Sequence, residues 1–153
     1  MQHAYAASAS QHREILWSRS ENGLIAGLAF KKYRRTLHEF KGDEPDCPPI
    51  SDVCTDIKAG IDHLHSLGIV HNDINPANIC IDENGCAVII DFDSAAPTGD
   101  PLGLRGGTTG FCRDTQISEE QNDIYGLRAI RAHLEFVFEG EISHPLSSAL
   151  ASS

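Results

Sequence analysis

Three polar side chains near the middle of the chain have the types and the spacing that phosphoryl transfer requires. Asp73 and Asn78 belong to the run His-Asn-Asp-Ile-Asn-Pro-Ala-Asn at residues 71–78, and Asp91 opens the run Asp-Phe-Asp further along the chain. A carboxylate can orient an attacking hydroxyl, and carboxylate and amide oxygens are ligands for the Mg²⁺ that neutralises nucleotide phosphates. The set therefore predicts phosphoryl-transfer chemistry.

A helix and a short strand are predicted immediately before this set. Ser51 is the expected N-cap and Gly68 the C-terminal stop, and the apolar residues between them share one helical face: Val53, Ile57, Ile61 and Leu64. The strand Ile69–Val70 then leads the chain to His71.

A hairpin is predicted to bring the amide and the second carboxylate together. β-branched runs at residues 79–81 and 87–90 flank the turn sequence Asp-Glu-Asn-Gly at residues 82–85. Because paired antiparallel strands bring their outer ends together, Asn78 and Asp91 are expected to face the same ion.

The remaining pattern predicts a mixed α and β domain. Residues 14–17 and 24–30 read as two strands around an Asn-Gly turn, residues 31–40 as a short helix or turn, and residues 41–50 as a proline-rich loop. Residues 94–110 form a glycine-rich loop of the length that is usually functional or disordered. A capping box of Ser118 and Gln121 opens a second helix that runs to Gly140, with an apolar stripe of Ile124, Leu127, Ile130 and Leu134.

Composition limits the classes of partner. The chain has 153 residues and 41% hydrophobic content, which suits one domain with a core. Its formal net charge is −10, and Lys58 is the sole lysine or arginine between Gly42 and Leu104, so no nucleic-acid site is expected. The five cysteines have no zinc-knuckle spacing, and no apolar run reaches the roughly twenty residues of a membrane span. We expect an intracellular protein, cytoplasmic or nuclear, without membrane contact.

The order of these motifs resembles the C-terminal lobe of a eukaryotic protein kinase. A helix, HNDINPANICID, a hairpin, IIDFD, GGTTGF and NDIYGL follow one another from about residue 24 to about residue 138. The resemblance implies an α+β fold, mainly helical, with a short β-hairpin at the catalytic loop and a remnant N-terminal hairpin. It implies a variable segment at residues 1–18, a partial kinase-like domain at 19–140 and a low-complexity tail at 141–153.

The resemblance also assigns roles at the site. Asp73 would accept the proton of the substrate hydroxyl, and Asn78 and Asp91 would hold Mg²⁺ beside ATP. His71 and Phe92 resemble the stacked pair that couples this loop to the helix beneath it. Other positions carry structural or regulatory roles: Asp123 resembles the helix aspartate that holds the catalytic-loop backbone, and Thr108 the threonine of the substrate-facing loop.

Adenine would bind at the chain segment that connects the two lobes. Leu28, Phe30, Lys31 and Tyr33 fall on this hinge by resemblance, and Cys80 lies where the family places an apolar residue under the base. The expected ligands are therefore ATP and Mg²⁺, and the expected partner is a protein substrate.

Several positions depart from the family pattern. Asn72 replaces the arginine that pairs with a phosphorylated activation loop, Asn75 replaces a lysine near the transferred phosphate, and Asp93 replaces a glycine. No glycine-rich phosphate loop and no lysine of a Val-Ala-Ile-Lys-like strand precede Leu24. Little activity is therefore expected from this polypeptide alone.

Three functions stay open at this point. The first is a protein-kinase-like phosphotransferase, favoured by the helix, GGTTGF and NDIYGL. The second is a small-molecule phosphotransferase of the aminoglycoside or choline type, which shares HxDxxxxN and IDFD and resembles this chain at Asn75 and Pro76. The third is a non-catalytic remnant or scaffold that keeps the fold for protein contacts.

Overall fold

The computed structural model describes residues 15–21, 24–30, 32–33, 35–41, 44, 47–103 and 107–140. They contain short strands, two α-helices and two 3₁₀ turns. The elements in chain order are β1 (Ile15–Glu21), β2 (Leu24–Phe30), β3 (Arg35–Thr36), a 3₁₀ turn (Leu37–Glu39), α1 (Ile50–Ser66), β4 (Ile69–Val70), a 3₁₀ turn (Pro76–Asn78), β5 (Ile79–Ile81), β6 (Ala87–Ile89), β7 (Ala96–Pro97) and α2 (Glu120–Gly140). The predicted α+β class is confirmed.

All strand pairs in the described residues are antiparallel. β1 pairs with β2, β5 lies between β3 and β6, and β4 pairs with β7. The predicted N-terminal hairpin and the predicted hairpin after the Asp73 loop are both confirmed. Residues 22 and 23, the predicted Asn-Gly turn, lie outside the described residues. The predicted segment boundaries at residues 18 and 140 stay predictions.

The start of α1 corrects one prediction. The backbone N–H groups of Asp52 and Val53 both donate to the Pro49 carbonyl, at 3.0 and 3.1 Å, so Pro49 caps the helix and Ile50 begins it. Ser51, predicted as the N-cap, lies inside the first turn and its hydroxyl donates to Asp52 at 3.0 Å. The predicted stop at Gly68 is confirmed, because this glycine has a φ of +71° and its N–H donates to the His65 carbonyl.

The hydrophobic core lies between α1, α2 and the β5–β6 hairpin. Ile74, in the loop that carries Asp73, inserts into this core, so the candidate site is anchored from below. Buried members of the core cluster are Leu37, Val53, Ile57, Ile61, Ile74, Ile79, Ile81, Ala87, Ile89, Ile130 and Leu134. The predicted apolar faces of both helices are confirmed by Ile57, Ile61 and Ile130.

The described part of the glycine-rich region has regular pairing. β7 adds to β4, and the backbone bonds Gly99 N–H to Ser118 O and Leu102 N–H to Gln116 O, both at 2.8 Å, tie its beginning to its end. Ser118 was predicted to open a capping box. Its hydroxyl instead donates to the Ala96 carbonyl at 3.3 Å, and α2 begins two residues later at Glu120.

Within the part of the chain that the structure describes, neither helix combines the length and the apolar character that crossing a bilayer requires.

Candidate active site

Asp73 is held by two neighbouring side chains from different segments. Its Oδ1 accepts hydrogen bonds from the backbone N–H and the hydroxyl of Thr108, at 2.8 and 2.9 Å. Its Oδ2 accepts from the Asn78 amide at 2.9 Å. The carboxylate therefore has a fixed orientation, and three predicted site residues lie in direct contact.

Asn75 connects the same loop to Thr108. Its amide donates to the Asp73 carbonyl at 3.1 Å and to the Thr108 hydroxyl at 3.0 Å, and its Oδ1 accepts from the Ala77 N–H at 2.9 Å. The Asn75 side chain is buried and caps the 3₁₀ turn that begins at Pro76. It thus fixes the hydroxyl that in turn fixes the Asp73 carboxylate.

The β5–β6 hairpin sets Asn78 and Asp91 at its open end. The Ile90 N–H donates to the Asn78 carbonyl at 2.9 Å, so Asp91 follows the residue paired with Asn78. Asp91 has a φ of +60°, is exposed, and its Oδ1 accepts from the Asp93 N–H at 3.3 Å. The positive φ turns the chain at the strand end, and among the residues that the structure describes the second carboxylate oxygen accepts no hydrogen bond.

The oxygens at the hairpin end suit a hard cation. The Asn78 amide nitrogen donates to Asp73, and its Oδ1 takes part in no hydrogen bond with the residues described here. Amide and carboxylate oxygens are the donors that Mg²⁺ prefers. In the same residues no three side chains of His, Cys, Asp or Glu form a metal-binding group, so Asn78 and Asp91 could hold the ion only with water or phosphate oxygens completing its shell.

His71 lies beneath the loop as a neutral ring. Its Nε2 lies 3.1 Å from the Ile90 carbonyl and its Nδ1 lies 3.3 Å from the Asp73 N–H, which together require a proton on Nε2 and a lone pair on Nδ1. Burial lowers the pKa of His71, and the nearby Asp123 carboxylate opposes that shift. The Phe92 ring meets the His71 ring edge to face, with centroids 5.1 Å apart.

Asp123 holds the backbone of the loop from α2. Its side chain is fully buried and accepts hydrogen bonds from the His71 N–H at 2.9 Å and the Asn72 N–H at 2.8 Å. His65 Nε2 lies 2.8 Å from the same carboxylate. The carboxylate of α2 thereby joins α1 to the loop that carries Asp73.

The predicted adenine residues are only partly described. Leu28 and Phe30 lie on β2, Lys31 lies outside the described residues, and Tyr33 is half-buried. Cys80 is buried in β5 and pairs with Thr36 of β3, so the strand that follows Tyr33 runs beside it. The strand after the predicted hinge segment, β3, is therefore adjacent to β5 of the hairpin.

A comparison with protein families and with curated proteins identifies this arrangement. The protein kinase domain model matches residues 27–123, which is more than half of the chain. The chain belongs to the protein kinase family. The family generally uses ATP and Mg²⁺ and acts on proteins.

Curated relatives agree with the family assignment. The serine/threonine-protein kinase PSK1 of Saccharomyces cerevisiae is 55% identical over 76 residues, which is 50% of this chain and 5% of that protein. Rhodopsin kinase GRK7 of Bos taurus is 29% identical over 126 residues, covering 80% of this chain and 21% of its own length. The serine/threonine-protein kinase/endoribonuclease IRE1b of Arabidopsis thaliana is 32% identical over 97 residues, 54% of this chain and 11% of that protein. The chain therefore spans about a fifth or less of these kinases.

A cavity of about 740 Å³ adjoins the kinase-like loop on the side of the glycine-rich region. Asn72, Gly107, Cys112, Arg113 and Asn122 contribute to its lining. Gly107 is required at this wall, because a Cβ there would lie 2.9 Å from the Asn72 carbonyl and 2.7 Å from the Cys112 Cβ.

Sequence reasoning missed the contributions of three buried carboxamides to this kinase-like site. Asn72 was treated only as a departure from the family pattern, Asn75 as a departure and as a likeness to small-molecule phosphotransferases, and Asn122 was not selected. All three are buried and hydrogen-bonded. The available signal was composition: three asparagines occur between His71 and Ile79, where cap and turn chemistry is favoured.

Proposed function

We propose that this kinase-like chain transfers the γ-phosphate of ATP to a protein hydroxyl. The observation that carries the proposal is the Asp73 carboxylate, whose two oxygens are oriented by Thr108 and Asn78. A carboxylate fixed in this way is prepared to align a substrate hydroxyl and accept its proton. The family match with serine/threonine kinases supports a protein as the acceptor.

The proposed reaction needs only Mg-ATP, the substrate hydroxyl and side chains of this protein. The hydroxyl oxygen attacks the γ-phosphorus, its proton moves to Asp73, and the bond from that phosphorus to the bridging β-γ oxygen breaks to release ADP. Asn78 and Asp91 would supply the ligands of Mg²⁺. When bound, this ion neutralises charge on the phosphates.

The charges around Asp73 predict slow transfer. The side chains that contact its carboxylate, Thr108 and Asn78, are neutral, and so is Asn75 behind them. A cation at this place would stabilise the charge that develops in the transition state. We therefore expect nucleotide binding that is easier to detect than turnover.

Nucleotide binding is the first test. The thermal unfolding midpoint is measured with Mg-ATP, with ATP and chelator, and with Mg²⁺ alone; Mg-ATP is expected to raise it most, because a ligand of the folded state stabilises that state. Asp91→Asn should abolish the additional shift. Asp100→Asn replaces another exposed carboxylate and should retain it. No shift in the unaltered chain would overturn the proposal.

Transfer is tested separately with γ-labelled ATP. Label should appear on a generic protein substrate and disappear with Asp73→Asn, while the Mg-ATP shift of that variant persists. Label on an aminoglycoside or on choline instead of protein would establish the small-molecule alternative. The non-catalytic alternative would be established if the unaltered chain and Asp73→Asn bind Mg-ATP equally well and neither of them transfers label.

A further inference from the structure

Asn72 is a buried carboxamide next to Asp73 with an uncommon backbone conformation. Its φ is +64°, a region that asparagine tolerates better than most residues, and 7% of the residue is exposed. The side chain is directed into the protein, where it is buried. Its amide and its oxygen both have partners there.

The partners of the Asn72 amide come from both ends of one segment. We call residues 94–103 and 107–118 the closing segment. The Asn72 Nδ2 lies 3.2 Å from the Ser94 carbonyl, at the start of this segment, and 3.0 Å from the Ser118 hydroxyl, at its end. The Val70 carbonyl lies 3.2 Å from the same nitrogen. One side chain thus joins both ends of the segment to the catalytic loop.

A second buried carboxamide extends this contact to α2. Asn122 donates to the Asn72 Oδ1 at 2.9 Å and to the Ile117 carbonyl at 3.0 Å, and its own oxygen accepts from Arg113 at 3.1 Å. Arg113 also contacts Glu119 at 2.6 Å. The charge of Arg113 is therefore balanced by Glu119, the residue that follows the segment. The hydrogen-bond partners of the Asn72 side chain are all neutral.

The closing segment also reaches Asp73. Gly107 packs against the Asn72 carbonyl so closely that a Cβ would lie 2.9 Å from it, and Thr108 donates twice to the Asp73 carboxylate. The position of the segment therefore sets the position of Thr108. Any group that fixes both ends of the segment acts on the orientation of Asp73 through Thr108.

We propose that Asn72 is a positioning residue that closes this segment onto the catalytic loop through neutral hydrogen bonds, without a phosphorylated side chain in the segment. The proposal deepens the proposed function, because Thr108 of this segment orients the carboxylate assigned to proton transfer. An amide can donate to carbonyl and hydroxyl oxygens and accept from Asn122 at once, whereas a guanidinium has donors only. The side chain at this position therefore suits uncharged partners.

Hydrogen exchange of the full chain, without nucleotide, tests the proposal. Three backbone amides report on the closing segment because each is bonded across it: Gly99, Leu102 and Ser118. Asn72→Gly removes the side chain and accepts the positive φ, so it does not add backbone strain. Exchange of the three amides is expected to accelerate about tenfold, as loss of hydrogen bonds worth a total of about 1.4 kcal/mol would give. The exchange rates of the α1 amides should change less than about twofold in the same variant.

The controls separate positioning from general loss of stability. Asn84→Gly removes an exposed asparagine from the β5–β6 turn and should leave the three amides unchanged. Ser118→Ala is a milder variant that keeps Asn72 and removes one partner, and should accelerate exchange less than Asn72→Gly. Treatment of the unaltered chain with a protein phosphatase should leave protection unchanged.

Three outcomes would overturn the proposal. If the three amides keep their protection from exchange in Asn72→Gly, the side chain does not hold the segment. If exchange of the α1 amides accelerates equally, the role of the side chain is a general structural one. Loss of protection after phosphatase treatment would show that a phosphate closes the segment. Because hydrogen exchange is measured without nucleotide, a failure of Mg-ATP binding would contradict the proposed function and would leave the role of Asn72 in holding the segment unchanged.

Discussion

The Asn78 amide donates to the Asp73 carboxylate and to the Asp73 carbonyl, at 2.9 Å in each case. The two residues lie five positions apart in the run 71–78, so this side chain closes the loop between them on itself. A side chain at position 78 that has only acceptor oxygens would place them against the oxygens of Asp73.

Asn78→Asp is expected to destabilise the fold at neutral pH. Two carboxylates at hydrogen-bond distance raise the pKa of one of them, and at pH 7 their repulsion replaces a hydrogen bond. We expect a loss of about 1–3 kcal/mol in the free energy of unfolding at pH 7, and a smaller loss near pH 5, where the pair can share a proton. Urea denaturation at both pH values measures the effect.

The control for this substitution is Asn84→Asp. Asn84 is exposed and its amide lies 3.4 Å from an Asp82 oxygen, so the same exchange is made beside a carboxylate in solvent. Its effect should stay within about 0.5 kcal/mol at both pH values. Equal losses for the two variants would contradict the prediction.

Asp123→Asn is expected to be more costly than any surface carboxylate substitution. The buried Asp123 carboxylate accepts from the backbones of His71 and Asn72, and an amide nitrogen would oppose one of these N–H donors. We expect the free energy of unfolding to fall by about 2–4 kcal/mol. Chemical denaturation tests this, with Asp62→Asn as the control, since Asp62 pairs with Lys58 on an exposed face of α1. A loss below 1 kcal/mol for Asp123→Asn would count against its role in holding the loop.

The neutral state of His71 predicts a pH-dependent stability. Burial lowers the pKa of this imidazole in the folded protein, so the unfolded chain binds the proton more readily. The contribution of His71 is fully present above its unfolded pKa of about 6.5 and decreases as the pH falls from there toward the lower folded value.

Comparison with His71→Gln isolates this contribution, because glutamine keeps a side-chain donor and does not titrate in this range. The difference in unfolding free energy between the unaltered chain and the variant should be constant above about pH 7 and shrink toward pH 5. His38→Gln, at an exposed position, controls for loss of an imidazole at the surface. A difference that is the same at pH 8 and pH 5 would contradict a neutral buried His71.

Local patterns predicted those parts of the site that local structure determines. The turn and the β-branched runs were sufficient to predict the hairpin, and the hairpin was sufficient to predict that Asn78 and the strand end at Asp91 are neighbours. The apolar stripes similarly predicted which faces of α1 and α2 are buried. In each case one short stretch of sequence contains the whole pattern.

Contacts between distant segments could not be obtained in the same way. Asn72 meets Ser94, Ser118 and Asn122, which are separated from it by 22, 46 and 50 residues. Periodicity contains no information on such pairs, and Ser118 matched a capping pattern although its hydroxyl is used elsewhere. The predicted start of α1 was wrong for a local reason. A proline carbonyl can accept the first helical hydrogen bonds, and no side-chain type in the sequence signals this.

Gly126 lies where α2 packs closely against the loop that carries Asp73. A Cβ at this position would lie 2.4 Å from the Ile74 carbonyl oxygen and 2.8 Å from the Ile74 Cβ. Alanine is favoured over glycine in a helix by about 1 kcal/mol, so propensity alone predicts that Gly126→Ala stabilises the protein. The backbone oxygen cannot move aside without displacing the loop, and overpacking of this kind costs more than the helix gains.

We therefore expect Gly126→Ala to lower the free energy of unfolding by about 1–3 kcal/mol and to weaken any Mg-ATP shift, because the displaced loop carries Asn78, a proposed ligand of Mg²⁺. Gly103→Ala is the matched control: a Cβ there meets no atom within 4 Å and its φ is not positive, so the change should stay within about 0.5 kcal/mol. Urea denaturation of the two variants decides the matter, since a stabilised Gly126→Ala protein would mean that α2 and the loop are not in the contact described here.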